Sequence, residues 1–123
     1  MTKRTGPTRE KTKSLAIALE RKGTVEKAAL WKDIARRLSR PSRIRTTVNL
    51  TRIARLGKKM QHQWLLVPGK VLGGGTVEKP VRVIALDFSK KAAEKIIAQK
   101  GKAISIRQAM QEKIAPKEIV IVE

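Results

Sequence analysis

The clearest strand-helix-strand pattern in the chain is VRVIALDFSKKAAEKIIAQKGKAI, residues 81–104. It opens with the apolar run 81–86 and closes with the short run 103–104, both typical of buried strands. Residues 89–99 between them predict a helix that Ser89 caps at its N-terminus. Gly101 follows the helix and precedes the second strand. The residues predicted to face inward on the helix are Ala92, Ala93, Ile96 and Ile97.

Two further apolar runs extend this pattern in both directions. Residues 64–67 and 119–122 predict two more buried strands, and residues 106–113 predict a second helix. Strands that alternate with helices in this way favour a small parallel sheet, because a helix carries the chain back across the sheet before the next strand.

The first half of the chain has helical rather than strand periodicity. Its apolar residues recur at i, i+3 and i+4 in three groups, which predicts three short helices. The groups are Leu15, Ala18 and Leu19; Leu30, Ile34 and Leu38; and Leu50, Ile53 and Ala54. We expect Thr8 and Thr24 to cap the first two helices, Gly23 and Gly57 to end helices, and Pro41 to separate the second from the third.

The predicted fold is therefore α/β, with a helical N-terminal part followed by a small mixed or parallel sheet with helices. We expect residues 1–8 to form a basic tail, residues 9–60 a basic helical part and residues 61–123 an α/β part. Residues 9–123 are expected to pack as one domain.

Composition limits what such a chain can do. Lysine and arginine number 29 against 10 acidic residues among 123, a formal net charge of +19. This excess predicts a polyanionic partner, most commonly nucleic acid. The 41% hydrophobic content argues against a wholly disordered chain, and the absence of cysteine excludes disulfides and cysteine-based zinc sites. Apolar runs are too short to span a membrane, and no signal peptide is evident, so export is not expected.

The positive charge is concentrated between Asp33 and Glu78, where ten basic residues occur without one acid. On the second predicted helix, Lys32, Arg36 and Arg40 lie at i, i+4 and i+8 and predict a basic row for phosphates. The alternative is a solvated helix face. Asp33 is expected to pair with Arg37, which would make Arg37 structural.

Two adjoining segments continue the basic row. Arg40, Arg43 and Arg45 present planar guanidinium groups that suit bidentate contacts with phosphates. The third predicted helix adds cations at i, i+3 and i+4 spacing, where solvated charge is again the alternative. These residues are Arg52, Arg55, Lys58 and Lys59.

The glycine-rich run VPGKVLGGG, residues 67–75, invites comparison with phosphate-binding loops. A Walker A loop needs Ser or Thr after Gly-Lys, but Val71 follows Lys70, and the glycine spacing also misses the dinucleotide-binding pattern. The run therefore predicts a tight structural loop close to RNA backbone. We expect Gly69, Lys70, Gly73 and Gly74 to contact the RNA.

The chain lacks the residues that catalysis and metal binding need. His62 is the only histidine, and Asp33 and Asp87 are the only aspartates. We expect no enzyme activity, no cofactor and no metal. The three aromatic residues, Trp31, Trp64 and Phe88, lie in apolar patterns and are expected in the core, so recognition should depend on phosphates and RNA shape rather than base stacking.

Several of these segments together resemble a known family, the archaeal and eukaryotic large-subunit ribosomal protein eighteen-e, related in its C-terminal half to bacterial ribosomal protein fifteen. The similarity covers nearly the whole chain, and its most specific part is Val67-Pro68-Gly69-Lys70-Val71-Leu72-Gly73. One departure is Gln99-Lys100-Gly101, where relatives often have Gly-Gly. The other matching segments are Arg4-Thr5-Gly6-Pro7-Thr8, residues 31–38 with Arg40-Pro41-Ser42-Arg43, Val48-Asn49-Leu50 with Ile53, Phe88-Ser89, Gly101 and Ile119-Val120-Ile121.

The resemblance implies an irregular β-β-α superhelix and a structural constituent of the large ribosomal subunit, of archaeal type. It implies partners in large-subunit ribosomal RNA and neighbouring ribosomal proteins, with the protein located in cytoplasmic ribosomes. Lys3, Arg4, Arg9 and Lys11 complete the expected RNA-binding residues. Two other classes compete. A duplex-DNA-binding chromatin-like or regulatory protein should carry more base-reading Asn and Gln on a recognition helix, and an RNA-cleaving enzyme should carry more carboxylates and histidines.

Overall fold

The computed structural model describes residues 6–39, 46–60, 63–112 and 114–122. The chain divides into two compact units, Met1–Arg45 and Thr46–Glu123. The described residues of the first unit form two helices and the second unit is built on a parallel sheet, so the predicted α/β fold with a helical N-terminal part is confirmed.

The first unit contains helices α1 (Gly6–Glu26) and α2 (Ala29–Leu38), both of which the apolar spacing predicted. Trp31 is fully buried, whereas its neighbour Leu30 is only half-buried. Since α1 starts at Gly6, residues 6–8 of the expected tail are helical, and residues 1–5 lie outside the described residues. The buried side chains between the two helices include Leu15, Leu19, Trp31, Ile34 and Leu38.

The turn between α1 and α2 differs from the prediction. Gly23 does not end a helix; α1 continues to Glu26, and Lys27 adopts the left-handed conformation with φ 54°. A Cβ on Gly23 would lie 2.7 Å from Cγ of Lys32, so this glycine allows the close approach of α2.

The capping roles expected of Thr8 and Thr24 are also wrong, because both residues lie inside α1. The Thr24 hydroxyl donates to the carbonyl of Glu20 at 3.1 Å, a bond that a threonine within a helix can form with the preceding turn. The helix α2 starts after Ala28, which provides no side-chain cap.

The second unit opens with strand β1 (Thr46–Asn49), which runs directly into helix α3 (Leu50–Lys59). The sheet order is β1-β2-β3-β4, and β5 also pairs with β2. Every pairing is parallel. The remaining elements are β2 (Trp64–Leu72), β3 (Arg82–Phe88), α4 (Lys90–Ala98), β4 (Lys102–Ser105), α5 (Ile106–Gln111), a 3-10 turn (Pro116–Glu118) and β5 (Ile119–Ile121).

Strand β2 is central because it pairs along both of its edges. β3 occupies one edge, while β5 pairs with Trp64–Leu66 and β1 pairs with Gly69–Leu72 on the other. The register with β3 shifts between Val67 and Lys70, at the position of Pro68, which has no N–H to donate. This long strand explains why residues 69–72, expected in a loop, are strand residues instead.

The core of the second unit combines sheet and helix residues, including Leu50 and Ile53 of α3, Val83 of β3, and Ala92 and Ile96 of α4. The predicted Ser89 cap is confirmed, since its Oγ accepts from the Ala92 N–H at 3.1 Å. Ile97, expected inward, is 62% exposed, because the narrow face of this nine-residue helix is filled by Ala92 and Ile96.

Gly57 was expected to end α3, but the helix continues to Lys59. A Cβ at Gly57 would lie 2.7 Å from Cγ1 of Val81, so the glycine permits helix packing rather than a turn. At the end of α4, Lys100 has φ 62°, the left-handed conformation that glycine adopts more readily.

Candidate nucleic-acid interface

The α3 basic face, defined as Arg52, Arg55, Lys58 and Lys59, is a cluster of four exposed cations on one helix of the second unit. Leu50 and Ile53 bury one side of α3, which leaves all four cations exposed on the remaining surface. Among the described residues, none places a carboxylate within ion-pair distance of these four side chains. Their charges are therefore available to an anionic partner.

Helix α2 places Lys32 and Arg36 on its exposed surface, as the sequence predicted. Asp33, however, accepts from Arg36 Nη2 at 2.9 Å and from Arg37 Nε at 3.2 Å. The Arg37 pair was predicted, whereas the Arg36 pair was not. Hydrogen bonding to Arg36, aided by Arg37, lowers the pKa of Asp33 below its ordinary value, although partial burial opposes this shift. One carboxylate therefore offsets part of the charge of this row.

The glycine-rich run divides into two structurally different parts. Gly69 is buried in β2, and Lys70 is exposed in the same strand with its Nζ 3.9 Å from Oδ2 of Asp87. Gly73 and Gly74 follow the strand and form a tight loop with Gly75, which has φ 86°. Only this second part fits the predicted tight loop.

The loop 73–75 forms hydrogen bonds with α4 and with the junction of β1 and α3. Lys95 of α4 donates from Nζ to the carbonyls of Gly73 and Gly75, at 2.8 Å each. The Gly74 carbonyl accepts from the Thr51 N–H at 3.2 Å, and the Gly74 N–H donates to Oδ1 of Asn49 at 3.3 Å. The loop therefore fixes the position where β1 passes into α3.

A cleft of about 500 Å³ opens beside this junction. We call it the β1–α3 cleft and define it by Thr47, Asn49, Thr51, Arg52 and Arg55, all of which are exposed. The sequence pattern identified the two arginines but not the three neutral polar residues. For Thr47 and Asn49 the available signal was their spacing, since alternate residues of a strand share one face, whereas Thr51 already lies in α3.

The other expected contact residues are only partly visible. Arg9 and Lys11 lie in the first part of α1, residues 6–11, of which only the backbone is described, and Lys3, Arg4, Arg40, Arg43 and Arg45 lie outside the described residues. The sequence analysis did not single out Lys95, which holds the loop 73–75. Its partners Gly75 and Gly73 lie 20 and 22 residues earlier in the chain, so no local pattern indicated the contact.

The described residues contain neither a metal-binding cluster nor a membrane-spanning helix. These residues contain no group of three or more His, Asp or Glu side chains arranged to hold a metal ion. His62 lies outside them. Of the helices in this part of the chain, none is both long and apolar enough to cross a membrane. The fold and surface thus define a basic α/β protein whose described surface is rich in exposed cations.

Comparison with known sequences assigns this protein to a family. The family described as ribosomal proteins 50S-L15 and 50S-L18e, together with their 60S counterpart, matches residues 24–104. The chain belongs to this family, and the resemblance to the eighteen-e proteins is confirmed.

Three archaeal relatives are each named large ribosomal subunit protein eL18. The protein from Methanothermobacter thermautotrophicus is 43% identical over 105 residues, 85% of each chain. That from Methanopyrus kandleri is 39% identical over 122 residues, 97% of this chain and 96% of the relative. That from Sulfurisphaera tokodaii is 41% identical over 112 residues, 91% of this chain and 90% of the relative.

Proposed function

We propose that this protein is a structural constituent of the large ribosomal subunit that binds large-subunit ribosomal RNA and stabilises its fold. Family membership supports the ribosomal role, since the relatives are named large ribosomal subunit proteins. The net charge of +19 supports a polyanionic partner, because compact RNA needs its phosphates neutralised. The proposal includes no enzyme activity, and it places the protein in cytoplasmic ribosomes beside other large-subunit proteins.

The α3 basic face is the observation that carries RNA binding. Its four exposed cations have no described carboxylate partner, so an RNA phosphate does not have to displace an existing ion pair. Each phosphate contact also releases condensed counterions from the nucleic acid, which contributes to affinity at moderate salt. This helix is expected to position RNA backbone rather than to read bases.

The remaining contacts are proposed from charge and position along the chain. The expected tail 1–8, helical part 9–60 and α/β part 61–123 would each contribute. The proposed RNA-binding residues are Lys3, Arg4, Arg9, Lys11, Lys32, Arg36, Arg40, Arg43, Arg45, Arg52, Arg55, Lys58, Lys59, Gly69, Lys70, Gly73 and Gly74. Of these, buried Gly69 would contribute through strand geometry rather than by direct contact.

Sedimentation of the native protein tests this proposal. Extract of the source cells is washed in high salt and separated on a sucrose gradient, and mass spectrometry quantifies the protein in each fraction. We expect about one copy per large subunit. Recovery with duplex DNA, away from the ribosomal fractions, would instead support a chromatin-like or regulatory DNA-binding protein.

A further inference from the structure

The β1–α3 cleft combines two kinds of side chain that suit different parts of a nucleic acid. Arg52 and Arg55 are cations without a described carboxylate partner, whereas Thr47, Asn49 and Thr51 are neutral hydrogen-bonding residues. All five are exposed, and they line an open cleft of about 500 Å³. Phosphate binding alone would not require the neutral residues.

Asn49 is oriented by the glycine loop. The Gly74 N–H can only donate, so the Asn49 side chain must turn its Oδ1 towards it, which it does at 3.3 Å. The Nδ2 amide is then the donor end of the side chain, and no described residue accepts from it. A Cβ at Gly74 would lie 2.7 Å from that Oδ1, so the close contact needs glycine.

Two hydroxyl groups belong to residues close to Asn49 in the chain, Thr47 two positions before it and Thr51 two positions after it. Thr47 shares the exposed face of β1 with Asn49, and Thr51 lies in the first turn of α3. Within the described part of the chain, neither hydroxyl forms a hydrogen bond. A hydroxyl both donates and accepts, which matches the ribose 2′-OH, a group that also does both.

From these observations we propose that the β1–α3 cleft binds a ribose-phosphate segment and distinguishes RNA from DNA, an inference that rests on the proposed RNA binding. Arg52 and Arg55 contact phosphates. Thr47, Asn49 and Thr51 form hydrogen bonds with ribose 2′-OH groups, which DNA lacks. The loop 73–75, held by Lys95, keeps Asn49 in its donating orientation.

The first test removes the two hydroxyls without changing side-chain volume. Full-length protein carrying Thr47→Val and Thr51→Val is titrated against a large-subunit ribosomal RNA transcript and against single-stranded DNA of the same sequence. We expect the affinity for RNA to fall about tenfold and that for DNA to change less than about twofold. Thr76→Val is the matched control, because exposed Thr76 lines a separate cavity with Ala54, Gly57 and Lys58.

The second test changes the Asn49 amide. In Asn49→Asp the carboxylate still accepts from the Gly74 N–H, so thermal stability should stay close to that of the unmodified protein. The donor hydrogens are lost, and the new carboxylate shares the cleft with Arg52 and Arg55, so we expect affinity to fall for both nucleic acids but about tenfold further for RNA than for DNA. Gln111→Glu makes the same chemical change on exposed α5 and controls for the added charge.

The outcomes separate this inference from the function on which it rests. If the unmodified protein prefers RNA and the double threonine variant keeps the same RNA-to-DNA affinity ratio, the cleft assignment is wrong but the proposed function stands. An unmodified protein that shows no RNA preference and no large-subunit association would overturn the proposed function. Equal losses for RNA and DNA in the threonine variant would also refute selection through the 2′-OH.

Discussion

Helices α2 and α3 have the same length of ten residues and a similar amphipathic design, yet they present their charges differently. In α2, Asp33 pairs with Arg36 and Arg37, although the Arg36 side chain remains 80% exposed. In α3, the four cations of the basic face have no described carboxylate partner. One acidic residue, Asp33, therefore makes the difference: it neutralises part of the charge of α2, whereas the charge of α3 remains available to anions.

The difference between the two helices means that counting basic residues overestimates a binding surface. A surface ion pair contributes little to folding, commonly below about 1 kcal/mol, but it offers a competing partner for each arginine involved. An RNA phosphate at α2 must share Arg36 with Asp33, whereas one at α3 meets no such competition. We therefore expect α3 to contribute more to RNA affinity than α2.

The largest expected effect comes from neutralising the α3 basic face. Replacing Arg52, Arg55, Lys58 and Lys59 by glutamine should lower the affinity for large-subunit ribosomal RNA by about two to three orders of magnitude at moderate salt. The slope of log K against log salt should become shallower by about 3, because four phosphate contacts are lost. Filter binding over a salt series measures both quantities.

Double variants make the comparison with α2 direct. Arg52→Gln with Arg55→Gln removes two unpaired cations, whereas Lys32→Gln with Arg36→Gln removes one cation and one arginine that is paired with Asp33. The α3 double variant should lose more affinity. An equal or larger loss from the α2 variant would contradict the competition between Asp33 and RNA phosphates for Arg36.

The next effect concerns the loop that fixes the start of α3. Gly75→Ala should lower the free energy of unfolding by about 2–4 kcal/mol, because Gly75 has φ 86° and an added Cβ would fall on the Thr51 hydroxyl. Chemical denaturation measures the change. Thr76→Ala, at the exposed neighbouring position, is the control, and a Gly75→Ala protein as stable as this control would refute the assigned strain.

Asp33→Asn should make α2 resemble α3 in having exposed cations without a carboxylate partner on the same helix. Freed from the carboxylate, the exposed Arg36 becomes available to phosphates, so RNA affinity should rise about two- to fivefold with a slightly steeper salt dependence. Titration at pH 7 beside the unmodified protein tests this. No gain in affinity would mean that the Asp33 pairs do not compete with RNA.

The loss of stability caused by Asp33→Asn should depend on pH. The pKa of Asp33 is lowered in the folded protein, so its pairing contributes stability above the unfolded value near 3.8 and loses it as pH falls through the lower folded value. The cost of Asp33→Asn, below about 1 kcal/mol at pH 7, should therefore disappear under strongly acidic conditions. A cost that persists there would point to lost packing instead.

The smallest expected effect concerns the N-terminus of α2. Ala28 has an extended conformation with φ −112° and ψ 111° and provides no side-chain cap. Ala28→Ser should stabilise the protein by about 0.5–1 kcal/mol, because a serine hydroxyl there accepts an otherwise unpaired helix N–H. Thermal unfolding measures the gain, and Ala28→Val, which cannot accept, should show none.

Several features were predictable because they depend on neighbouring residues alone. The helical spacing in residues 15–54 and the apolar runs of the sheet predicted the correct elements, and Ser89 caps α4 as expected. Strand β1 was missed because four residues, Thr46–Asn49, form too short a pattern. The predicted tight loop was correct only at residues 73–75, since pairing with β1 extends β2 through Leu72.

The sequence by itself determined the fold class, the family and the excess of positive charge, because periodicity, motif identity and composition are properties of the chain. Tertiary structure alone decided which charges remain available and which polar groups adjoin them. Glycines 23 and 57 illustrate the limit, since both suggested helix ends and instead permit close packing against distant residues. Likewise, the orientation of Asn49 depends on Gly74, 25 residues away, and such contacts exist only once β1, α3 and the loop 73–75 come together.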